Sequence, residues 1–373
     1  MDTKITRRTH GPIETSLLGF GLMRLPLGPN GKIDRPAARA MIDEAMAAGV
    51  TYYDTAYMYI GGESEAFVSD AFAKYPRESF TLTSKMPMGS LESADDMERV
   101  FAEQLRRTQA GHFDYYLLHS LNADNWKKAL SFKTLDFIRR KRDEGLVRRI
   151  GFSFHDSPEV LREIAGAFDW DIAQIQLNYA DWEPYRSREQ YEILAERGIP
   201  VAIMEPLKGG ALANLNGEAR DILRAADASA SYASWGLRFA ASLPGVQVVL
   251  SGMSSLEQVR DNLSVFSPFR PLSEDDRKTI DLALAAYRKS GVMPCTGCKY
   301  CQPCPFGVNI PANIALFNET KSGGSLARSK EAYAAMPATA RASACRLCRA
   351  CLPKCPQKLQ VPVLLREIAR TFE

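Results

Sequence analysis

Between residues 19 and 265 short apolar runs and amphipathic stretches alternate eight times, and this rhythm restricts the fold more than anything else in the chain. Strand candidates fall at 19–24, 50–54, 79–84, 113–118, 148–153, 172–177, 199–204 and 246–250. Each is followed by a helical pattern, such as 93–109 or 131–144. Such alternation predicts an α/β protein with a parallel sheet covered by helices, and eight repeats predict closure into a barrel. An open doubly wound sheet is the alternative, but no GxGxxG follows the first strand.

A barrel of this kind absorbs about 250 residues, so a chain of 373 has room for a second, smaller domain. A helical stretch over 273–289 leads out of the repeats, which predicts a barrel over 1–272, a connecting helix over 273–290 and a separate unit over 291–373. With 46% hydrophobic and 24% charged residues the composition is that of a globular protein with material for a core. Forty-seven basic residues against 44 acidic ones leave a charge of +3, too balanced to expect nucleic acid or an anionic membrane as partner. The start, MDTKITRRTHGP, has no apolar core of a secretion signal, and no apolar run reaches the length of about 18 residues that a membrane span needs. A cytoplasmic location is therefore expected.

All eight cysteines lie between Cys295 and Cys355, and residues 1–294 have none. In a chain expected in the cytosol, such clustering argues for metal rather than disulfides. The first run is Cys295, Cys298, Cys301 and Cys304, followed by Pro305; the second is Cys345, Cys348, Cys351 and Cys355, followed by Pro356. Three cysteines at two-residue gaps let a tight loop wrap three corners of a cubane, while the fourth points elsewhere. Zinc is the alternative, but it usually takes two separated pairs rather than unbroken runs of four. The segment resembles bacterial two-cluster ferredoxins, in which the fourth cysteine of each run ligates the other cluster. That resemblance implies two 4Fe-4S clusters, one on Cys295, Cys298, Cys301 and Cys355, the other on Cys345, Cys348, Cys351 and Cys304. The first run departs from the pattern in having two rather than three residues before its last cysteine. The spacer 305–344, punctuated by Pro, Gly and Ser, is long and is expected to contain one or two short helices.

Within the repeats, strand 50–54 ends in Asp54 with Tyr59 five residues on, strand 79–84 is followed by Lys85, and 113–118 by His119. In a barrel all four would reach the mouth formed by the strand C-terminal ends, where barrel enzymes keep their active sites. DTAxxYxxGESE, then TSK, then YYLLHS resembles the aldo-keto reductase family over about residues 14–265, with its tetrad present in order as Asp54, Tyr59, Lys85 and His119. The expected architecture is thus a (β/α)8 TIM barrel followed by a small ferredoxin-like iron-sulphur domain. The family implies hydride exchange between NADP or NAD and a small-molecule carbonyl or alcohol.

The residues support that chemistry on their own terms. A carbonyl that accepts hydride needs a proton at its oxygen, and Tyr59 can supply it. A phenol of pKa near 10 is a weak donor at neutral pH, and the Lys85 ammonium is expected to lower that pKa. Asp54 would hold the ammonium, and His119 would orient or polarise the oxygen. The plainer alternatives are a helix cap, a core tyrosine, a surface lysine and a satisfied histidine. His155 follows strand five and is a further candidate, whereas His10 and His112 are expected to be structural or exposed.

The resemblance carries over cofactor contacts as well. Ser153 and Gln174 match positions that hold the nicotinamide carboxamide, and Met204 stands where many members place an aromatic ring, so stacking is expected to be weaker or replaced by a sulphur contact. Gly209 and Gly210 would let backbone approach the pyrophosphate, or simply form a turn. Asn262 matches an adenine contact with Asp261 as an acidic neighbour, while Gly252 and Gln258 occupy positions where Lys and Arg often grip a 2′-phosphate. Ser255 and Gln258 also read as a helix-capping box. Substrate choice is assigned to loops 120–130, with Trp126, and 205–228.

The leading reading is an oxidoreductase whose barrel acts on a carbonyl or alcohol and whose tail exchanges electrons with a redox partner protein. Nicotinamides move two electrons and clusters one, and no flavin-binding signature is present to convert between them. The other readings are an electron-transfer or docking subunit with a degenerate barrel, and clusters that staple the C-terminus.

Overall fold

In a computed structural model the described residues are 5–10, 13–215, 217–321 and 324–373. The side chain of His10 lies outside them, as do residues 1–4 of the N-terminal segment. The chain opens with an antiparallel pair, β1 (Arg7–His10) and β2 (Ile13–Ser16), which four-residue strands left invisible in the pattern. Strands and helices then alternate. The first half comprises β3 (Leu18–Gly21), α1 (Arg35–Ala47), β4 (Tyr52–Asp54), α2 (Glu63–Ala71), β5 (Thr81–Met86), α3 (Asp96–Thr108), β6 (Phe113–Leu121), α4 (Ala123–Ser131) and α5 (Thr134–Asp143). The second comprises β7 (Val147–Phe154), α6 (Pro158–Gly166), β8 (Ile172–Gln176), α7 (Ser187–Glu196), β9 (Val201–Met204), α8 (Gly217–Ala226), α9 (Tyr232–Ala241), β10 (Val246–Ser251) and α10 (Leu256–Phe266).

Strands β3 to β10 form one closed barrel of parallel neighbours, with β10 returning beside β3, as the eight repeats predict. Because helices cover the outside and side chains fill the inside, the strands are buried on both faces, which is why they read as near-continuous apolar runs. Tyr52, Tyr115, Leu117, Ile172, Ala202, Val248 and Leu250 pack together in one buried cluster drawn from five strands. Parallel closure has a functional consequence. It gathers the C-terminal ends of strands far apart in sequence onto a single rim.

Two compact units emerge, one of residues 1–206 with 236–272, the other of residues 207–235 with 273–373. The excursion 207–235 groups with the C-terminal residues because α8 packs along α11 (Glu274–Lys289). Helix α11 starts at a full capping box, with Ser273 Oγ accepting from Asp276 N–H and the Asp276 carboxylate accepting from Ser273 N–H. Beyond it lie α12 (Ile310–Lys321), α13 (Leu326–Ala335) and α14 (Val361–Phe372). The spacer thus holds two helices, as expected. Their core is small: Val308, Ile310, Ile314, Phe317, Tyr333, Val361, Leu365, Ile368 and Phe372 are buried together, with Cys295, Cys301, Cys304, Cys345 and Cys351 packed against them. Among the described residues no helix is long and apolar enough to cross a membrane.

Candidate functional site

Asp54 ends β4, Lys85 lies in β5 and His119 in β6, so all three are presented from neighbouring barrel strands. Tyr59 comes from the loop after β4, on a tight turn in which Ile60 (φ 52), Gly61 (φ 64) and Gly62 (φ 91) all take left-handed backbone. For Ile60 this conformation costs roughly 1–2 kcal/mol and is the kind of strain that collects at functional sites. Lys85 Nζ donates to Asp54 Oδ1 at 2.6 Å, to the Thr55 carbonyl at 2.8 Å and to Tyr59 Oη at 3.3 Å. The His119 ring meets the Tyr59 ring edge-on, with centroids 5.8 Å apart. All four side chains are buried. The structure brings the four together.

The electrostatics differ from the sequence-based expectation at one point. Burial pushes the Asp54 carboxyl up and the Lys85 ammonium down, but each is countered by the other's charge, and the 2.6 Å contact holds them as an ionised pair. The Lys85 ammonium, matched by Asp54, does not outweigh the burial of the phenol. Tyr59 is instead raised well above 10, by burial first and then by the negative charge of Asp54 and Glu205. The phenol is therefore protonated throughout the neutral range. His119 is held well below 6.5 by burial, then by Lys85 and His155, so its imidazole is neutral. Burial also lowers His155 to about 4, and its Nδ1 lies 3.4 Å from Tyr185 Oη.

Support behind Lys85 was not foreseen. The Gln104 amide, from α3, donates to the Lys85 carbonyl at 3.1 Å, to Ser84 Oγ at 2.9 Å and to Glu65 at 2.6 Å. Glu65 also accepts from Ser84 Oγ, and Arg107 lies 3.4 Å from it. This buried network fixes the backbone that carries the ammonium. Arg24 and Glu205, 3.7 Å apart, were likewise missed. Nothing in the spacing of these residues distinguishes them from surface charges. Trp126 moves the other way: it lies in α4, only 2% exposed, with its indole N–H donating to Glu163 at 2.8 Å. Residues 123–131 are helix rather than an open specificity loop. His112 is part-buried, 3.6 Å from Asp114.

The cysteines fall into two neighbourhoods. A cavity is lined by Cys301 and Cys304 of the first run and by Cys345, Cys348 and Cys351 of the second. Burial pushes the Cys301 thiol up to about 12, reinforced by negative charge on Cys298, Cys295 and Cys355. Burial raises Cys351 too, and the thiols that add to it are Cys345, Cys348 and Cys304. Cys355 thus lies within electrostatic reach of Cys301, and Cys304 of Cys351. None is in a disulfide. The loops share a backbone plan: Gly297 (φ 65) and Lys299 (φ 65) flank Cys298, and Leu347 (φ 57) and Arg349 (φ 63) flank Cys348. Among the described residues no three His, Cys, Asp or Glu converge closely enough for a single ion.

Residues 17–285 match the aldo/keto reductase family, and residues 294–360 match the 4Fe-4S dicluster domain. The chain belongs to the aldo/keto reductase family. As an aldo/keto reductase with an iron-sulphur domain, it is 26% identical over 305 residues to the NADH-specific methylglyoxal reductase of Escherichia coli, covering 68% of this chain and 91% of that protein. An aldo-keto reductase of Bacillus halodurans shares the fold with a TM-score of 0.61 at 24% identity, over 75% of this chain and 96% of that one. One from Klebsiella pneumoniae, solved with NADPH, does so with a TM-score of 0.61 at 22% identity, over 74% and 94% of the two chains.

The positions expected to meet a nicotinamide cofactor divide. Ser153 in β7 is buried, and its Oγ accepts the Ser120 N–H at 2.7 Å, which leaves the hydroxyl proton to donate. Gln174 in β8 is buried with its Oε1 unpartnered, an acceptor that fits an amide donor. Met204 is half-buried at the end of β9. Near α10 the polar groups are engaged with one another: Asn262 donates to Ser251 Oγ at 2.7 Å, and Gln258 Oε1 accepts from Ser254 N–H at 2.7 Å. Ser255 caps α10, but Gln258 reaches Ser254 rather than the Ser255 backbone, so only half of the expected capping box forms. A side chain at Gly252 would meet Arg24 at 3.0 Å. At Gly209 (φ 66) a Cβ would lie 2.2 Å from the Thr296 carbonyl oxygen, so what approaches this glycine is the chain's own first cysteine loop. Gly210 (φ 97) accepts from Asn214 Nδ2 at 2.8 Å in an ordinary turn.

Proposed function

We propose that this enzyme interconverts a small carbonyl compound and its alcohol with Tyr59 as general acid and base, and that its C-terminal residues hold two four-iron clusters that exchange single electrons with a partner protein. The observation that carries the first part is the Lys85 ammonium, 2.6 Å from Asp54 and 3.3 Å from Tyr59. The nicotinamide, when bound, supplies or receives the hydride. The Tyr59 hydroxyl gives its proton to the carbonyl oxygen as negative charge develops there. Lys85, held by Asp54, steadies the phenolate that remains. The neutral His119 ring donates a hydrogen bond to the same oxygen. The Ser153 hydroxyl and the orphaned Gln174 oxygen receive the two ends of the carboxamide, and Met204 flanks the ring. Gly252 and Gln258 bring no cation to a 2′-phosphate, which favours NADH over NADPH. Asn262 would reach an adenine only by giving up Ser251.

For the second part, the nearness of Cys355 to Cys301 and of Cys304 to Cys351 supports exchange of fourth ligands. One cluster then takes Cys295, Cys298, Cys301 and Cys355, the other Cys345, Cys348, Cys351 and Cys304. Residues 1–272, 273–290 and 291–373 act as reductase, connector and electron carrier. Hydride and single electrons do not interchange without a converter, so the two activities run separately. Anaerobic purification tests both. Two clusters require about eight irons per chain, and the barrel should oxidise NADH with small aldehydes or ketones, methylglyoxal being the first to try. Protein truncated before Cys295 that stays soluble should retain this activity. Zinc in place of iron would overturn the second part, and intact protein inert toward every small carbonyl with both nicotinamides would overturn the first.

A further inference from the structure

The cavity of the second cysteine loop opens among cations. Besides Cys301, Cys304, Cys345, Cys348 and Cys351 it is lined by Arg346, Arg349 and Lys354, and by no acidic residue. All three basic side chains are exposed, and none takes part in an ion pair among the described residues. The sequence around them is lopsided: between Glu331 and Glu367 it contains Arg341, Arg346, Arg349, Lys354, Lys358 and Arg366 and no Asp or Glu. The whole chain is nearly balanced at +3, so this imbalance is local. Phe306, 44% exposed, lines the same cavity, and Leu347, 45% exposed, stands between Arg346 and Arg349 in the chain. Cys348 itself is exposed, so a redox group held there would be close to solvent. An apolar centre rimmed by charge of one sign is how a transient docking surface combines contact with steering.

We propose that Arg346, Arg349 and Lys354 form a docking surface for an acidic one-electron carrier protein at the Cys345–Cys351 loop. The proposal rests on the reading that these cysteines hold a redox-active cluster. The exchange is a single electron: a cluster in its reduced 1+ state returns to 2+, and the oxidised carrier gains that electron, with no bond made or broken. Cations projecting to solvent raise the encounter rate of an anionic surface and disfavour a cationic one, and salt erases the difference over a Debye length of about 8 Å at physiological ionic strength.

Stopped-flow oxidation of the anaerobically reduced full chain tests this with three acceptors: the anion cobalt(III)-EDTA, the cation hexaamminecobalt(III), and an acidic flavodoxin. At low ionic strength cobalt-EDTA and flavodoxin should react quickly and slow about tenfold or more as salt is added, whereas hexaamminecobalt should show no such slowing. R346E/R349E/K354E should reverse the preference. R346Q/R349Q, a gentler change, should weaken it with iron content intact. A redox titration followed by electron paramagnetic resonance separates docking from tuning of the cluster. Rates that change only in step with the midpoint potential would overturn the docking surface, as would salt-independent oxidation of the wild type by cobalt-EDTA and flavodoxin. Clusters that no reductant can reduce would instead overturn the electron-carrier reading beneath it.

Discussion

The barrel and the cysteine-bearing residues solve the problem of holding reactive groups in opposite ways. In the barrel, eight strands share a closed ladder of hydrogen bonds, and the tetrad is fixed before any ligand arrives by a 2.6 Å ion pair backed by Gln104, Ser84 and Glu65. The C-terminal residues have no sheet among those described, only α12, α13 and α14 around a core of about ten side chains. Against that core lie thiols whose crowding favours protonation until a metal takes the protons' place. One region is organised by its polypeptide and the other asks for metal to complete it.

The largest expected effect therefore comes from removing metal. Anaerobic chelation, or Cys298→Ser with Cys348→Ser, should expose residues 291–360 to protease within minutes while a fragment ending near Lys289 resists. Metal binding in small domains supplies folding free energy of order 10 kcal/mol, more than so small a core replaces. Unchanged protease resistance in iron-free protein would erase the contrast between the two regions.

Replacing Tyr59 should be smaller in free energy but decisive for chemistry. Tyr59→Phe removes a proton donor used in the transition state, so turnover should fall about 10²-fold or more with NADH affinity nearly unchanged. Wild-type turnover would refute the role and make Lys85 and Asp54 suspect with it. The same variant should leave cluster content and cluster reduction untouched, which sharpens the separation of the two regions.

How far the sequence foretold these regions follows from how each is held. The eight barrel strands were legible because burial on both faces writes continuous apolar runs, and the tetrad because Asp54, Lys85 and His119 lie at or near the ends of successive strands with Tyr59 in the loop after the first. The two cysteine runs were legible from spacing alone. Gln104 and Glu65 were not, since they reach Lys85 from 19 and 20 residues away in sequence and resemble surface polar residues. Nor was the state of Tyr59: the sequence displayed the nearby ammonium but not the burial, or the carboxylate that already matches it. Helix α14 begins only after the last cysteine and buries an apolar stripe of Val361, Leu365, Ile368 and Phe372. The Thr296 backbone pressed on Gly209 is a long-range contact that no local pattern records.

That burial has a pH signature. A phenol raised well above 10 is protonated at neutral pH, so carbonyl reduction, which uses the acid form, should be nearly flat from pH 6 to 9. Alcohol oxidation needs the phenolate, the minor form below the pKa, so its kcat/KM should climb with pH across the same range, up to tenfold per unit. His119 and His155, both lowered, contribute no limb near pH 6.5. Profiles of both directions check this. A limb at about 6.5 lost in His119→Ala would mean that the imbalance between burial and charge at the tetrad has been misjudged.

The smallest effect compares the two cysteine loops with each other. Both put the residue before the second cysteine in left-handed backbone, but the first uses Gly297 and the second Leu347. An L-residue pays roughly 1–2 kcal/mol there, and glycine recovers that less about 0.5–1 kcal/mol for its freer unfolded chain. Leu347→Gly should therefore stabilise the second loop by at most about 1.5 kcal/mol. Its cluster would then resist chelator for up to about tenfold longer if loop opening limits the loss, since about 1.4 kcal/mol is a factor of ten. Gly297→Leu should shift the first loop by a similar amount in the opposite direction. The visible absorbance decay of each variant under anaerobic chelation reads both. Because Leu347 is also one of the exposed apolar side chains between Arg346 and Arg349, the glycine variant should gain stability while losing contact with a carrier protein. A variant that is both less stable and equally fast with flavodoxin would show that the leucine is tolerated for neither reason.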